Sequence, residues 1–217
     1  NYVLGNHDQH RLVSRIGAGQ ARVGHMLLLT LRGTPTLYYG DELGMPDGEI
    51  PEDMVQDPWE LKSPGLGLGR DPARTPMQWS DAPHGGFCPP DANPWLPAGP
   101  DVANRNVAEQ ANNPQSTLTM TKRLIQLRRD HPALHAGGYR SFDAPDGVFA
   151  FARQSPDDDV DRFFVVLNFT GETRTWSLPG GTNAVIAAST RPGRLDESVS
   201  GILPLRPDEG VVLRCEV

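Results

Sequence analysis

Residues 2 to 4 form a short apolar run that opens into the polar cluster Gly5-Asn6-His7-Asp8-Gln9-His10-Arg11. Polar side chains gathered at the C-terminal end of a strand point to a site. From Gly19 to Leu31, Val23, Met26, Leu27, Thr30 and Leu31 fall at helical spacing, and Arg32-Gly33 supplies a basic last turn and a helix-ending glycine. That spacing predicts a helix of about three turns. Thr34-Pro35-Thr36-Leu37-Tyr38-Tyr39 is a compact β-branched and aromatic run between Gly33 and Gly40, which predicts a buried strand. The order is strand, helix, strand.

From Asp41 to about Gln115 the chain is rich in Gly, Pro, Asp and Asn and shows no sustained periodicity. Connections usually run about 4 to 6 residues, so a loop this long is functional or disordered. Trp59, Trp79, Phe87 and Trp95 provide aromatic anchors that a solvated linker would lack, so the loop is expected to be ordered. Ser116 then caps a predicted helix with Leu118, Thr121, Leu124, Ile125 and Leu127 at amphipathic spacing, which ends before Pro132.

Beyond Gly138 the pattern changes to short apolar runs separated by turns: 148–153, 162–169, 173–178, 184–187 and 210–214, with Pro145-Asp146-Gly147 and Pro179-Gly180-Gly181 as turn signals. Strands of that length and spacing predict an antiparallel β-sandwich over residues 138–217. Asp157-Asp158-Asp159 reads as a solvated hairpin tip, because three consecutive carboxylates cannot all face one ion.

Composition narrows the classes of function. The chain has 217 residues, 37% of them apolar, enough for one large domain or two small ones with a real core. A net charge of −7 argues against nucleic-acid and anionic-membrane binding and favours a neutral small molecule as partner. Cys88 and Cys215 match no metal or redox spacing and read as free thiols, in keeping with a cytoplasmic setting. No run of about 18 apolar residues is present, so no membrane helix is expected in this segment. The opening Asn1-Tyr2-Val3-Leu4-Gly5, without Met or leader, leads us to expect further chain upstream.

Four segments, in order and correctly separated, resemble the C-terminal part of glycoside hydrolase family 13, the α-amylase family. Asn6-His7-Asp8 is similar to the family's fourth conserved region at the end of the seventh strand of a (β/α)₈ TIM barrel. Gly33-Thr34-Pro35 through Gly40-Asp41-Glu42-Leu43-Gly44-Met45 resembles the eighth strand and its turn. The run Arg70 to Trp79, RDPARTPMQW, is similar to the loop marker of the α-glucosidase, oligo-1,6-glucosidase and trehalose-synthase branch. Leu124 to Arg129 with His131-Pro132-Ala133-Leu134 resembles the eighth barrel helix and the lead-in to the C-terminal domain. The ten-residue loop marker is the specific signal; Asn-His-Asp by itself recurs by chance.

The resemblance implies an α/β plus β fold, with residues 1–137 as the last two strands and helices of the barrel and residues 138–217 as the β-sandwich. It implies a retaining glycosidase, in which one Asp forms a glycosyl ester, a Glu acts as acid then base, and a second Asp stabilises the oxocarbenium-like transition state. By resemblance Asp8 is that second Asp, and His7 donates to the same sugar. Taken without the other segments, Asp8 reads as a helix cap and His7 as a packed histidine. One of Arg70 and Arg74 would close the subsite at the non-reducing end, since a guanidinium fork suits sugar hydroxyls or a carboxylate; the choice stays open, as does a surface ion pair with Asp71 or Asp81. Asn6 and Arg11 are expected to support the site from behind, and Arg15 to be an ordinary helix residue. Glu42 is expected to be structural, and Trp79 and Phe87 to pack the loop. His10 stands where many relatives carry Pro.

The nucleophile and the acid/base would lie upstream of residue 1 in this family, and so would any calcium site; no cofactor is expected here. The separate 217-residue polypeptide is therefore expected to be inactive and aggregation-prone, its missing partner being the N-terminal barrel portion of the same protein. Its substrate would be an oligosaccharide with terminal α-linked glucose. The alternatives are a trehalose synthase or other transglycosylating member, and a non-catalytic relative such as a transporter heavy chain, which the presence of His7 and Asp8 argues against. A free-standing sugar-binding sandwich leaves residues 1–137 unexplained.

Overall fold

The computed structural model describes residues 1–155 and 161–216; the acidic run Asp157–Asp159 lies outside them. By contacts the chain divides into two compact units, one of residues 1–2, 19–36 and 120–217 and the other of residues 3–18 and 37–119.

The first unit is built on strands. After β1 (Tyr2–Val3), helix α1 (Leu12–Thr30) and β2 (Pro35–Thr36), the chain reaches helices α2 (Pro58–Lys62), α3 (Val107–Ala111), α4 (Thr117–Asp130) and α5 (Pro132–His135). Eight strands follow: β3 (Gly138–Phe142), β4 (Val148–Gln154), β5 (Arg162–Asn168), β6 (Arg174–Ser177), β7 (Asn183–Ser189), β8 (Ser198–Ser200), β9 (Ile202–Leu205) and β10 (Gly210–Cys215). Six form one antiparallel sheet in the order β3-β4-β5-β10-β7-β8, and β6 pairs β9 in a second. The two-residue period of a strand sends alternate side chains to opposite faces. Phe164, Val166, Ile186 and Leu213 therefore face Trp176, Leu203 and Leu205 of the small sheet in one apolar core. This is the sandwich predicted from the turn spacing.

On the other face Phe151, Phe163, Val165 and Val212 are buried as well. There α5 packs Ala133 and Leu134, and the His131 ring meets Phe163 edge to face at 4.8 Å. Burial on both faces explains why β5 reads as a continuous apolar run rather than an alternation. Arg153 crosses this layer fully buried, its guanidinium donating to the carbonyls of Thr30, Gly137 and Gly138 at 2.6, 3.0 and 3.0 Å.

Helix α1 is longer than its apolar spacing predicts and is broken. Gly17 sits at φ 79°, ψ 159°, separating the turn from Leu12 to Ile16 from the periodic stretch that follows. The strand expected over 34–39 is reduced to Pro35–Thr36, with Thr34 and Thr36 exposed and Leu37 half-buried. A compact apolar run cannot reveal how many neighbouring strands it has, and here the Tyr2 amide, donating to the Thr34 carbonyl at 2.9 Å, is the neighbour. Among the described residues no barrel closes: two short strands, β1 and β2, are what residues 1–137 contribute.

The second unit is mostly irregular but well tied. Leu43, Met45 and Leu118 form its apolar centre with Met77 and Val107 against them. Polar ties do the rest: Gln110 donates to the Leu43 carbonyl and accepts from the Leu118 amide, and Arg105 donates to the Gly44 carbonyl. Ser116 accepts from the Thr119 amide at 3.0 Å, the cap read from the sequence. The loop that looked too long is ordered because its backbone polar groups find partners within it.

Candidate active site

The site grows from the turn after β1. Asn6 Oδ1 accepts from the Asp8 amide at 2.9 Å, an Asx turn that reverses the chain within three residues and throws the Asp8 carboxylate outward. Gly5 permits the turn's close approach, for a Cβ there would lie 2.7 Å from Asp41 Oδ2. Asp8 does not stay free. Its Oδ1 accepts from Arg70 Nη1 at 3.1 Å and Arg74 Nη2 at 3.2 Å, while its Oδ2 lies 3.3 Å from His7 Nε2. Arg74 Nε also donates to the His7 carbonyl at 2.9 Å.

Both arginines come from one short 3₁₀ segment, Asp71–Arg74, with Arg70 at its N-terminal cap and Pro72 in its first turn. Four residues apart on that turn, the two guanidiniums can reach the same oxygen. Of the alternatives left open, the ion pairs of the two arginines among the described residues go to Asp8 and Asp57 and not to Asp71 or Asp81; Asp71 is buried and accepts from the amides of Gln56 and Asp57 at 2.7 and 2.8 Å. Asp57, not singled out by the sequence, takes Arg70. Its Oδ2 accepts from Arg70 Nε at 2.7 Å and its Oδ1 from Nη2 at 3.1 Å, and that guanidinium holds the carboxyl well below the usual carboxylate range. The Asp57-Pro58 pair signals a helix start, and Asp57 does cap α2 through the Trp59 amide at 3.1 Å; nothing in that local signal announces the arginine.

Arg11 lies behind the site. It is 1% exposed, donates from Nη1 to the Tyr39 carbonyl at 2.7 Å and faces the rings of Tyr38 and Tyr39 at 5.2 and 4.8 Å. Its support thus goes to the chain after β2 and not directly to Asp8. The two tyrosines pass the support on: their hydroxyls donate to the carbonyls of Ala73 and Thr75 at 3.2 and 2.7 Å, fastening the arginine segment. Burial pushes the Tyr38 hydroxyl up, and it raises Asp41 to about 6 against the opposing charge of Arg11. Arg15 reaches the Leu4 carbonyl, which gives it a structural tie to β1's end. His10 pairs with Asp47 at 2.7 Å.

Two hollows flank Arg70 and Arg74. One of about 190 Å³ is lined by Asp8, His10, Gly67, Gly69, Arg70 and Ala73. The other, of about 440 Å³, is apolar and lined by Tyr39, Arg74, Met77, Trp79, Phe87 and Trp95. Trp79 and Phe87 were expected to pack the loop; they are 51% and 52% exposed, Trp95 is 73% exposed, and all three line that hollow. Glu42 borders it too. Cys88 and Cys215 are free thiols, Cys88 half-buried and Cys215 buried. No helix among the described residues is long and apolar enough to cross a membrane.

A half-exposed carboxylate held by two guanidiniums, with an imidazole beside it and aromatic faces nearby, is an arrangement suited to a polyhydroxylated ring. Residues 1–137 match the alpha amylase catalytic domain, and the chain belongs to the α-amylase family. It is similar to the α-glucosidase of Apis mellifera, 36% identical over 191 residues, covering 84% of this chain and 32% of that protein. It is also similar to the oligo-1,6-glucosidase of Parageobacillus thermoglucosidasius, 32% identical over 201 residues, covering 81% of this chain and 35% of that protein. Among solved structures, the trehalulose synthase MutB from Pseudomonas mesoacidophila MX-45 superposes with a TM-score of 0.82 at 28% identity, covering all of this chain and 43% of that one. A MutB mutant in complex with glucose superposes at 0.83, again at 28% identity. The chain spans about a third of the length of the curated relatives it matches.

Proposed function

We propose that this chain supplies the transition-state-stabilising carboxylate and the glucose-closing arginines of a retaining α-glucosidase that removes terminal α-linked glucose from malto- or isomalto-oligosaccharides. The observation that carries the reading is Asp8 Oδ1 bridged at 3.1 and 3.2 Å by Arg70 and Arg74, both from the RDPARTPMQW run. In the reaction a nucleophilic carboxylate forms a bond to C1 as the C1–O bond to the leaving sugar breaks and the leaving oxygen takes a proton from an acid. Water then attacks C1, giving its proton to the same group and releasing the carboxylate. Both of those groups belong to the part of the enzyme preceding residue 1. Asp8 contributes when positive charge develops at C1 and the ring oxygen, because a fixed negative charge stabilises that state more than the neutral substrate. His7 donates to a sugar hydroxyl. Arg70 and Arg74 bound the ring at its non-reducing end, Asn6 sets the turn, and Arg11 secures the segment the arginines come from. No cofactor enters this chemistry, and the enzyme works in the cytoplasm.

In the full-length enzyme, Asp8→Asn should reduce kcat on p-nitrophenyl α-glucoside by about 10²- to 10³-fold, the loss seen when one preorganised electrostatic group is removed. Anomeric analysis of the first product by NMR should give α-glucose. The isolated 217-residue chain should release no nitrophenol above a buffer blank. An active Asp8→Asn enzyme would reject the assignment.

One observation favours a second reading. The aromatic hollow beside Arg74 could retain a leaving sugar and hold off water, which favours transfer over hydrolysis, as in a trehalose or trehalulose synthase. Chromatography of the products from maltose and sucrose separates the two: glucose and fructose for the hydrolase, an isomeric disaccharide for the synthase.

A further inference from the structure

Arg70 and Arg74 reach the same oxygen of Asp8, yet they are held very differently. Arg74 has, among the described residues, Asp8 as its sole carboxylate partner, together with the His7 carbonyl. Arg70 is clamped from behind. The Asp57 side chain is 0% exposed and takes three of the donors of residue 70: the backbone amide at 2.8 Å, Nε at 2.7 Å and Nη2 at 3.1 Å. Of the guanidinium fork this leaves Nη1, and Nη1 is the nitrogen on Asp8. A bidentate carboxylate fixes the plane of a guanidinium as well as its place. Asp57 is itself located, since its own amide and that of Gln56 both donate to the buried Asp71. The result is a chain of contacts from Asp71 to Asp57 to Arg70 to Asp8 in which only the last member is half-exposed.

We propose that Asp57 is a positioning residue for the glycosidase site: it locks Arg70 so that a single, pre-oriented N–H meets Asp8, and leaves Arg74 as the adaptable partner. Asp57 also neutralises the charge of Arg70, so Asp8 faces two guanidiniums of which one is already compensated, and it keeps negative character to offer the developing oxocarbenium ion. The inference rests on the reading of Asp8 given above. Physically, the benefit is preorganisation: an unrestrained Arg side chain would have to be ordered in the transition state, and small misplacements of positioning groups reduce rates by about 10²-fold.

The test is a double-mutant cycle in the full-length enzyme with p-nitrophenyl α-glucoside, using Asp57→Asn, Asp57→Ser, Arg70→Ala and the Asp57→Ser/Arg70→Ala pair, with Asp8→Asn alongside. Asp57→Ser keeps an oxygen that can cap α2 through the Trp59 amide and removes the fork, so folding and positioning are read apart. Asp57→Ser and Asp57→Asn should each lower kcat/KM about 10²-fold, mainly through kcat, and Asp57→Ser should change Tm little. In the Arg70→Ala background the further loss from Asp57→Ser should vanish, because the residue acts through Arg70. An equal loss in both backgrounds would mean a general structural role and would overturn the proposal, and so would full activity in Asp57→Ser. If Asp8→Asn is inactive while Asp57→Ser is fully active, the positioning role alone fails; if Asp8→Asn is active, the reading of the site fails first.

Discussion

At the scale of residues, the site depends on side chains that hold backbone rather than substrate. Asn6 accepts the Asp8 amide and points the carboxylate. Replacing Asn6 by Ala removes one hydrogen bond worth about 1 kcal/mol, and kcat/KM of the full-length enzyme should fall about fivefold with little change in KM. Asp8, His7, Arg70 and Arg74 could all be picked from the sequence because they sit in contiguous motifs, and the structure brings the four together. Asp57 could not. Its part is played across 13 residues through a carboxylate whose only local signature is a helix cap. The sequence likewise left open whether Asp71 pairs with an arginine; its carboxylate accepts from the amides of residues 56 and 57.

At the scale of elements, periodicity located the helices and most strands but not their ends. The central strands β4, β5, β7 and β10 were visible as apolar or alternating runs, since each buries at least one face. Edge strand β3, with four of five residues exposed, and the short pair β8 and β9 were not visible, because an edge strand buries little and Pro204 argues against a ladder. The break in α1 is a further case. At φ 79°, ψ 159° Gly17 occupies a region essentially closed to other residues, and among the described residues beyond its own helix turn no atom lies within 4 Å of where a Cβ would stand. Gly17→Ala should therefore destabilise through backbone strain alone, by about 1 to 3 kcal/mol, read from urea unfolding of the full-length enzyme. A shift under a few tenths would show that the helix can run straight through.

At the scale of the whole molecule, buried ionisable groups set the response to acid. His25 is fully buried with neither ring nitrogen hydrogen-bonded among the described residues; burial first, and the nearby Arg22 second, lower it to about 4. The sign follows from proton uptake. Below an unfolded value of about 6.5 the unfolded chain takes a proton that the folded one refuses until about 4, so stability falls through that window by about 3 kcal/mol. Asp41, raised to about 6 by burial, works the other way. Between about 4 and 6 its folded form holds a proton that the unfolded form has lost, so acidification favours folding and offsets much of the His25 effect. His25→Leu removes one side of the balance. Relative to the native protein, this variant should gain about 3 kcal/mol on going from pH 7 to pH 4 in denaturant unfolding; equal pH profiles would show that His25 protonates without cost.

What the sequence determined by itself was the family, the strand-rich second half and the four side chains that meet at the site. These rest on local signals: contiguous motifs, two-residue and helical periods, turn residues and caps, each readable over about ten positions. Tertiary structure alone decided that β2 is two residues long, Pro35 half-buried and Thr36 exposed, that Trp79 and Phe87 line a hollow, and that Arg70 is the arginine clamped while Arg74 is held by Asp8 and a carbonyl. The physical reason is common to all three. Burial and charge pairing depend on which distant groups come within a few ångströms, and that is a property of the packed chain and not of any window along it.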